Sequence, residues 1–346
     1  MKYLVTGGAG FLGSQLCETL AQHDHQVVIL DRVRDDQLAR RFEFSHADLR
    51  DREAVFRVFA EHGPFDGVFH VAAMLAHAIK DRRDLIDSNV AGTRNLADAA
   101  VAHETPYFVY TSSNCVCGRP LSQPVREQDP INPLEIYGIT KWEGEKVLAA
   151  YQDQMHITML RCPTIMGGGR LGLLSILYEF IYEARKVWVL GNGSNRYQFI
   201  YIGDLIDALE RAITRPGFHL YNIGSDDVPT LRELYQAVIE RAGTKARVAG
   251  LPKAPAVAAM RILHTLGMSP LGPYHYKMLA EDFIFDTTHI KTELGWRPTK
   301  TNTQMLIESY DWYVQHLDDI YHSSAERSAH RQPVKLQALA LVKRLS

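Results

Sequence analysis

The chain has 346 residues, more than a single hydrophobic core usually holds, so we expect two lobes. Hydrophobic residues make up 46% of the sequence, which is typical of an ordinary globular protein. The formal net charge of -2 argues against the basic surface of a nucleic-acid-binding protein.

The four cysteines, Cys17, Cys115, Cys117 and Cys162, form no pattern with zinc spacing, so no metal site is predicted. Reduced thiols fit a cytoplasmic protein. No apolar run reaches membrane-spanning length, and a glycine-rich turn begins too early to leave room for a signal-peptide core. We therefore expect a cytoplasmic protein.

Residues 3–13, Tyr-Leu-Val-Thr-Gly-Gly-Ala-Gly-Phe-Leu-Gly, predict a short buried strand, a turn and the start of a helix. Such a turn directs backbone N–H groups and the positive end of the helix toward a diphosphate. Gly7 permits the tight turn, Gly10 lets phosphates approach the backbone, and Gly13 lets helix and strand pack closely. We predict dinucleotide binding here, through Gly7, Gly10, Phe11, Leu12 and Gly13.

The second predicted strand, residues 26–30, ends at Asp31. In this kind of site, an acid at that strand end accepts hydrogen bonds from the adenosine ribose and repels a 2′-phosphate. Asp31 therefore favours NAD over NADP, although Arg32 and Arg34 lie close behind it and can blunt the repulsion. A helix or turn cap is the alternative for Asp31, and its position argues against that role.

Two further strands are predicted at residues 42–46 and 67–73. Asp48, after the first of them, either meets the adenine edge of the cofactor or caps a helix expected at residues 51–61, and both alternatives stay open. The small residues Ala72 and Ala73 suit a strand end over which a cofactor passes.

A helix is expected at residues 88–102, followed by a fifth strand at residues 106–113 that ends in three hydroxyl-bearing residues. Repeated strand–helix alternation predicts an α/β fold with a doubly wound parallel sheet of the Rossmann type. Ligands bind such sheets at the carboxyl ends of the strands, which is where the glycine turn, Asp31 and Ser113 fall.

A loop with four prolines precedes a helix that begins at Tyr137. Tyr137 and Lys141, four residues apart, share one face of this helix. A nearby ammonium disfavours the neutral phenol, so we expect Lys141 to lower the pKa of Tyr137. Such a tyrosine exchanges a proton with a substrate hydroxyl while hydride moves at the same carbon. The alternative is a helix-surface pair, and the position after a Ser-tipped strand favours catalysis.

The second half of the chain alternates between sheet strands and segments that return to a second lobe. Thr230 and Glu233 predict a capping box for a helix that ends near Gly243, and residues 252–273 predict a helical flap over the substrate lobe. The other predicted elements are strands at 157–163, 187–190 and 220–224, a glycine-rich segment at 165–172, and helices at about 173–185 and 204–215.

These elements divide the chain into a cofactor-binding domain, residues 1–163 plus about 199–225, and a smaller discontinuous lobe, about 164–198 and 226–315. Residues 316–346 form a tail that ends in a short basic amphipathic segment. Such segments more often dock on their own protein or form a mobile end than lie on a membrane, so we do not expect membrane contact.

Taken together, these residues resemble the extended short-chain dehydrogenase/reductase family, the NAD-dependent epimerases and dehydratases. The resemblance runs from Met1 to about Trp312. The matching motifs are Thr6-Gly-Gly-Ala-Gly-Phe-Leu-Gly13, Asp48, His70-Val-Ala-Ala73, Asn89-Val-x-Gly-Thr93, Thr111-Ser-Ser113, Tyr137-x-x-x-Lys141, Phe199 to Asp204, Asn222-Ile-Gly224 and Leu294-Gly-Trp-Arg-Pro298.

The resemblance implies NAD as the cofactor and a role for each matching residue. Tyr137 is the expected acid/base, Lys141 holds the nicotinamide ribose and tunes Tyr137, and Ser113 hydrogen-bonds the reacting oxygen. A homodimer through the helix at 88–102 and the Tyr137 helix is also implied. Besides the glycine turn, Asp31, Tyr137 and Lys141, the expected cofactor-binding residues are Arg32, Asp48, Leu49, Val71, Ala72, Ala73, Asn89, Thr111 and Pro163.

Departures from the family pattern narrow the chemistry. Sugar-nucleotide 4,6-dehydratases and uronate decarboxylases carry an acid just after the active-site hydroxyl, where this chain has Asn114 and Cys115. Elimination of water is therefore disfavoured. Cys115 falls where GDP-fucose synthases carry a catalytic cysteine, which leaves a double epimerisation as a minor option. The common Arg-Asp pair before the aromatic strand is altered to Arg196-Tyr-Gln198, which displaces the arginine by one residue. The predicted substrate-binding residues are Asn114, Cys115, Arg196 and Tyr201.

The leading hypothesis is an NAD-dependent epimerase of a nucleotide sugar. The alternative is a dehydrogenase or reductase of a hydroxy or keto substrate, because residues 271–313 also resemble the 3-beta-hydroxysteroid dehydrogenase-like branch. A non-catalytic NAD-sensing scaffold is a third class, and the intact catalytic positions argue against it.

Overall fold

The computed structural model describes residues 1–75, 81–172, 174–265 and 279–322. The strands are β1 Lys2–Thr6, β2 Gln26–Asp31, β3 Glu43–His46, β4 Gly67–His70, β5 Tyr107–Ser113, β6 His156–Cys162, β7 Thr164–Met166, β8 Lys186–Leu190, β9 Phe199–Tyr201, β10 Phe218–Asn222 and β11 Arg247–Leu251. The α-helices are α1 Phe11–Gln22, α2 Asp36–Ala39, α3 Arg52–His62, α4 Arg82–Ile86, α5 Gly92–Ala102, α6 Ile136–Ala149, α7 Leu174–Tyr182, α8 Ile202–Ala212, α9 Leu231–Ala242, α10 Lys253–Thr265, α11 Thr288–Leu294, α12 Asn302–Gln315 and α13 Leu317–His322.

A seven-stranded parallel sheet in the order β10-β6-β5-β4-β1-β2-β3 forms the centre of the molecule. Its inner strands are nearly continuous apolar runs because helices cover both faces. Alternate residues face opposite sides, so Val5 packs with α1 and α8 while Leu4 packs with α3 and α5. The predicted Rossmann-type α/β fold is confirmed.

A third buried cluster lies outside the two faces of this sheet. It gathers residues of α7, β8, α9 and α12 and is completed by two small parallel sheets, β8 with β11 and β7 with β9. Tyr201 packs against this cluster and against one face of the large sheet. The predicted capping box of Thr230 and Glu233 is present, and α9 ends at Gly243 in the left-handed conformation.

Two predicted boundaries near the sheet are wrong. The fourth strand ends at His70, so residues 71–73 leave the sheet. The helix expected from residue 88 begins at Arg82, because the Asp81 side chain accepts the Arg83 N–H and caps it. A π-helical turn, Asp87–Ala91, joins α4 to α5. A Cβ on Gly92 would lie 2.9 Å from the Leu49 Cβ, so the chain at this turn packs closely against Leu49.

The second half holds two strands that the sequence did not predict, β7 and β11. The helix predicted at about 173–185 is α7, which ends at Tyr182. Of the predicted flap, α10 covers the first part, and residues 266–278 lie outside the described residues, as does the tail from residue 323. Within the described ranges, no helix is both long enough and apolar enough to cross a bilayer.

Candidate active site

The glycine turn lies between β1 and α1, at the carboxyl edge of the sheet. Gly7 has a φ of +72°, its N–H donates to the Leu30 carbonyl (2.9 Å), and its carbonyl accepts the Gly10 N–H (2.9 Å). A Cβ on Gly7 would lie 2.7 Å from the Ala72 Cα, and one on Gly13 would lie 2.1 Å from the Gly7 carbonyl oxygen. Side chains at these two positions are excluded, so the backbone remains open to a ligand at the start of α1.

Asp31 lies at the end of β2 and accepts two backbone N–H groups, from Ala9 to Oδ2 (3.0 Å) and from Val33 to Oδ1 (2.9 Å). Burial raises the pKa of Asp31, and these N–H donors oppose the shift. The contact to Val33 is a turn cap, the role that the sequence argument disfavoured. The contact to Ala9 shows that the same carboxylate also supports the glycine turn. The Arg32 side chain is exposed beside it.

Asp48 does not cap the helix that follows it. The cap of α3 is Asp51, whose side chain accepts the Ala54 N–H (3.0 Å), so the capping alternative for Asp48 is wrong. Asp48 instead forms an ion pair with Arg50 (2.7 Å). Burial alone would raise the pKa of Asp48, but its bonds to Arg50 hold that pKa below its usual value. The neighbouring Leu49 is buried.

Asn89 lies within the π-helical turn and connects the segment after β4 to α6. Its Oδ1 accepts the Met74 N–H (2.8 Å), and its Nδ2 donates to the Met74 carbonyl (3.0 Å) and to the Thr140 hydroxyl (3.1 Å). The predicted cofactor residue Asn89 therefore uses its amide within the protein. Of the other predicted residues in this segment, Val71 and Ala72 are half-buried and Ala73 is exposed.

A buried chain of hydrogen bonds runs from the glycine turn to Asn89 through His70. The Thr93 hydroxyl donates to the Asn89 carbonyl (2.8 Å), so His70 Nε2 donates to Thr93 (2.8 Å) and His70 Nδ1 accepts from Thr6 (2.8 Å). Burial, followed by the charge of Lys141, lowers the pKa of His70 well below its usual value, so the ring is neutral. The sequence analysis included Thr6, His70 and Thr93 in the matching motifs but assigned none of them a role in the site, although a histidine at the end of a buried apolar strand is a recognisable signal.

Lys141 lies on the buried side of α6, one turn after Tyr137. Its side chain is 2% exposed, and its Nζ lies 3.9 Å from the centroid of the Tyr110 ring. Burial lowers the pKa of Lys141 to about 7, while the charges of Glu145, Cys162 and Cys115 oppose this shift. Tyr137 is half-buried. The two side chains share one helix at the edge where the strands of the sheet end.

Ser113 is the last residue of β5, and a 3₁₀ turn, Asn114–Cys117, follows it. Its hydroxyl accepts the Cys115 N–H (3.2 Å) and donates to the Asn114 Oδ1 (3.4 Å). Asn114 Nδ2 donates to the Tyr197 hydroxyl (2.7 Å), which links the end of β5 to the third cluster. Asn114 and Cys115 therefore lie beside Ser113, both buried.

The remaining predicted site residues differ in how far they are exposed. The Arg196 side chain is exposed, and its backbone N–H donates to Asp282 Oδ1 (2.7 Å). Tyr201 is half-buried, with Lys300 Nζ 3.9 Å from its ring centroid. The Thr111 hydroxyl is buried and has no hydrogen-bond partner within the described part of the chain, and Pro163 is buried directly after β6. Arg196 is therefore exposed, while the neighbouring Tyr197 contacts Asn114 beside Ser113.

Glu145, one turn after Lys141, belongs to a buried ion pair that the sequence analysis did not single out. Arg161 contacts it twice, Nη2 to Oε2 at 2.7 Å and Nε to Oε1 at 3.0 Å, and the Ser112 hydroxyl donates to Oε1 (2.5 Å). These contacts fix α6 against β5 and β6. Among the described residues, no cluster of three His, Cys, Asp or Glu side chains is arranged to hold a metal ion.

A sequence profile of the NAD dependent epimerase/dehydratase family matches residues 3–224, which include the glycine turn, Ser113, Tyr137 and Lys141. The chain belongs to this family. It is therefore an NAD-dependent enzyme of the extended short-chain dehydrogenase/reductase type, as the sequence predicted. The glycine turn, where a Cβ is excluded at two positions, fits a dinucleotide bound along the backbone.

This member of the epimerase/dehydratase family aligns with several relatives over most of their length. It is 37% identical over 342 residues to the uncharacterized protein y4nG of Sinorhizobium fredii, covering 98% of this chain and 85% of that protein. It is 29% identical to a UDP-glucose 4-epimerase of Mycolicibacterium smegmatis, covering 90% and 98% of the two chains. Its fold is similar to that of a UDP-glucose 4-epimerase of Thermotoga maritima solved with UDP-glucose, with a TM-score of 0.77, 23% identity, and coverage of 92% and 100%.

Proposed function

We propose that this enzyme epimerises a nucleotide sugar by transient oxidation at a hydroxyl-bearing carbon. The observation that carries the proposal is the composition of the site at the end of β5. Ser113, Tyr137 and Lys141 are present there, and Asn114 and Cys115 stand where an eliminating dehydratase has an acid. The similarity to UDP-glucose 4-epimerases supports the same reaction.

In the proposed mechanism, Ser113 holds the oxygen of the reacting hydroxyl and Tyr137 removes its proton. Lys141 binds the nicotinamide ribose and keeps the phenol acidic, and the glycine turn with Asp31 binds the pyrophosphate and the adenosine ribose. NAD, when bound, supplies the acceptor and then the donor of the hydride. The keto sugar turns in the site before Tyr137 returns the proton, so the reaction has no net redox change.

The arrangement of the rest of the molecule follows from the same proposal. Residues 1–163 with about 199–225 form the cofactor domain, and the third cluster is the core of the substrate lobe. We propose a homodimer through the helix at 88–102, which contains α5, and through α6, on which Ile139 is an exposed apolar side chain. All four cysteines are buried and lie outside any disulfide, which supports a cytoplasmic location. Sedimentation at micromolar concentration tests the dimer, and a monomer contradicts it.

The deciding experiment combines analysis of retained cofactor with an isotope label. The purified protein is expected to release stoichiometric NAD only on unfolding. It should also convert a UDP- or GDP-sugar that carries deuterium at the epimerised carbon without loss of the label to water, because the hydride stays on the cofactor. Exchange of the label with solvent, or a net change in nicotinamide absorbance, contradicts the proposal.

Tyr137→Phe provides the test of the acid/base. General acid–base catalysis contributes about 10²- to 10⁴-fold, so turnover should fall by that factor. NAD binding should be unchanged, because the phenol acts on the substrate. Unaltered turnover would instead support a non-catalytic role for the site.

A dehydrogenase or reductase of an apolar alcohol or ketone is the second candidate. Tyr197 favours it, because this buried phenol stands where the family commonly has the arginine of the Arg-Asp pair, and it accepts a hydrogen bond from Asn114. Screening apolar alcohols with free NAD distinguishes the two reactions, since only the dehydrogenase produces NADH in proportion to substrate.

A further inference from the structure

Arg170 lies in the loop between β7 and α7 and is not among the predicted site residues. Its guanidinium carbon lies 6.0 Å from the centroid of the Phe11 ring. Phe11 is the first residue of α1, directly after the glycine turn, and its ring is only 3% exposed. A positively charged side chain from outside the turn therefore lies over the end of α1 at which the cofactor's pyrophosphate is expected.

The position of the Arg170 backbone is fixed by α12. The Arg170 N–H donates to the Gly167 carbonyl (3.1 Å), which also accepts the Ser309 hydroxyl (3.3 Å). A Cβ on Gly168 would lie 3.0 Å from Trp312 Cδ1, so this backbone packs directly on the indole. Gly169, with a φ of +83°, then turns the chain toward Arg170. The loop is thus seated on α12 before it reaches α1.

The same loop also packs against α1. A Cβ on Gly167 would lie 2.7 Å from Ile202 Cγ2 and 3.6 Å from Phe11 Cζ. Arg170 is half-buried, and its charge opposes the burial that raises the pKa of the Tyr178 phenol. Its side chain therefore lies near both the Phe11 ring of α1 and the Tyr178 phenol of α7, which belongs to the third cluster.

We propose that the Arg170 guanidinium binds the pyrophosphate of NAD, on the side opposite the glycine turn. The turn and the start of α1 offer N–H groups and a partial positive charge but no formal charge, whereas the pyrophosphate carries two negative charges. A guanidinium supplies a full charge and a fork that matches two phosphate oxygens. The proposal rests on the NAD site used in the proposed function and adds a contact from the second lobe that retains the cofactor through a catalytic cycle.

The test compares ligands that share or lack the pyrophosphate. NAD, ADP-ribose, UDP and adenosine are titrated calorimetrically into cofactor-stripped wild type, Arg170→Gln and Arg170→Lys. We expect Arg170→Gln to bind NAD and ADP-ribose about 10- to 100-fold more weakly and adenosine equally well, since only a charge-assisted contact to phosphate is lost. Arg170→Lys should fall between, and the NAD affinity of Arg170→Gln should depend less on salt than that of wild type.

Arg52→Gln is the matched control. Arg52 also stacks on a phenylalanine, with its guanidinium carbon 4.6 Å from the Phe56 ring, but it lies on α3 and pairs with Asp98 of α5. The Arg52→Gln variant should bind NAD as wild type does. Thermal unfolding of the cofactor-free variants shows whether either substitution disturbs the fold.

Several results would overturn the proposal. One is an unchanged NAD affinity in Arg170→Gln. Another is an equal loss of affinity for adenosine, because that marks a structural effect. A third is a loss of affinity confined to UDP, which assigns the arginine to the substrate's diphosphate. Each of these leaves the proposed epimerisation standing. Failure of the wild type to bind NAD at all would instead contradict both proposals.

Discussion

The amino group of Lys141 is buried and has little contact with water. The Tyr110 ring face covers it, and Glu145 lies one turn further along the same helix. The charged form is disfavoured by burial and favoured by these neighbours, and burial dominates, which brings the pKa to about 7. The catalytic proposal needs the ammonium, so the negatively charged cofactor is the partner that would restore it.

This balance predicts a pH-dependent stability in the cofactor-free protein. Below pH 7 Lys141 is charged in both states, so the unfavourable burial of the charge is fully present. As the pH rises above about 7 the folded protein releases the proton while the unfolded chain, with an ordinary lysine, keeps it, so stability should increase. The gain is at most about 1.4 kcal/mol per pH unit. Urea unfolding at pH 6 and pH 9 should show this gain in wild type relative to Lys141→Met, and equal differences at both pH values would contradict it.

Substitutions at Gly10 and Gly13 of the glycine turn should have separable effects. An alanine Cβ at Gly13 would meet the Gly7 carbonyl oxygen at 2.1 Å, whereas one at Gly10 would meet it at 3.0 Å. Gly13→Ala should therefore lower the free energy of unfolding by about 1–3 kcal/mol or more, as overpacking does. Gly10→Ala should change stability little and weaken NAD binding. Denaturant unfolding and NAD titration of both variants check this, and the reverse order of destabilisation would refute it.

The elements that form the site are held together by polar contacts between helices and strand ends. Asn89 connects the π-helical turn, the segment after β4 and α6, and the ion pair of Glu145 with Arg161 holds α6 against β6. Because α6 carries both Tyr137 and Lys141, these contacts set where the two side chains lie relative to Ser113.

Asn89→Ala should destabilise the protein by about 1–3 kcal/mol, because it leaves a buried N–H and a buried carbonyl of Met74 without partners. Turnover should fall as well, since α6 loses its contact to the segment after β4. Asn95→Ala is the control on α5, where Nδ2 donates to the Leu49 carbonyl from a less buried position, and it should have the smaller effect. Chemical denaturation and initial rates provide the comparison.

Prediction from the sequence succeeded for elements whose signals are local. The strands of the large sheet are apolar runs followed by glycine or polar residues, and Thr230 with Glu233 is a local capping motif. β7 and β11 are short and gain their hydrogen bonds from partners distant in the chain, so no local pattern marks them. Asp48 was ambiguous because Asp51 is an equally suitable cap three residues later.

The residues of the site also divide into those with a local sequence signal and those without one. Ser113, Tyr137 and the glycine turn stand in motifs that can be read along the chain. His70 with Thr93, and Arg170 over Phe11, exist only as contacts between distant segments. A sequence without a structure does not show which buried polar side chains meet.

At the scale of the whole molecule, the segment from α11 to Trp296 lies within the range predicted for the substrate lobe, yet it packs with α1 and α8 on one face of the large sheet. Trp296 is completely buried beside α8, and its Nε1 donates to the Asp204 carbonyl (2.8 Å). Asp204 in turn accepts the Thr299 N–H (2.9 Å) and hydroxyl (2.6 Å). These contacts join α8 to residues 296–299, so the two segments pack as one unit.

Trp296→Ala should therefore destabilise the protein by about 3–5 kcal/mol, the usual range for removing a fully buried aromatic side chain. Trp188→Ala, at a half-buried position in β8, should cost less. Thermal unfolding followed by circular dichroism measures both. Equal midpoints for the two variants would show that the Trp296 contact contributes little.

The strand order has a consequence for how the chain is made on the ribosome. β10 completes the sheet by pairing with β6, yet the polypeptide between them, residues 163–217, contains β7, α7, β8, β9 and α8. Until Asn222 has left the exit tunnel, the outer edge of β6 exposes unpaired N–H and carbonyl groups. The nascent protein therefore passes through a prolonged stage in which that edge can recruit a neighbouring chain, and its yield in the cell should depend on chaperones that shield it.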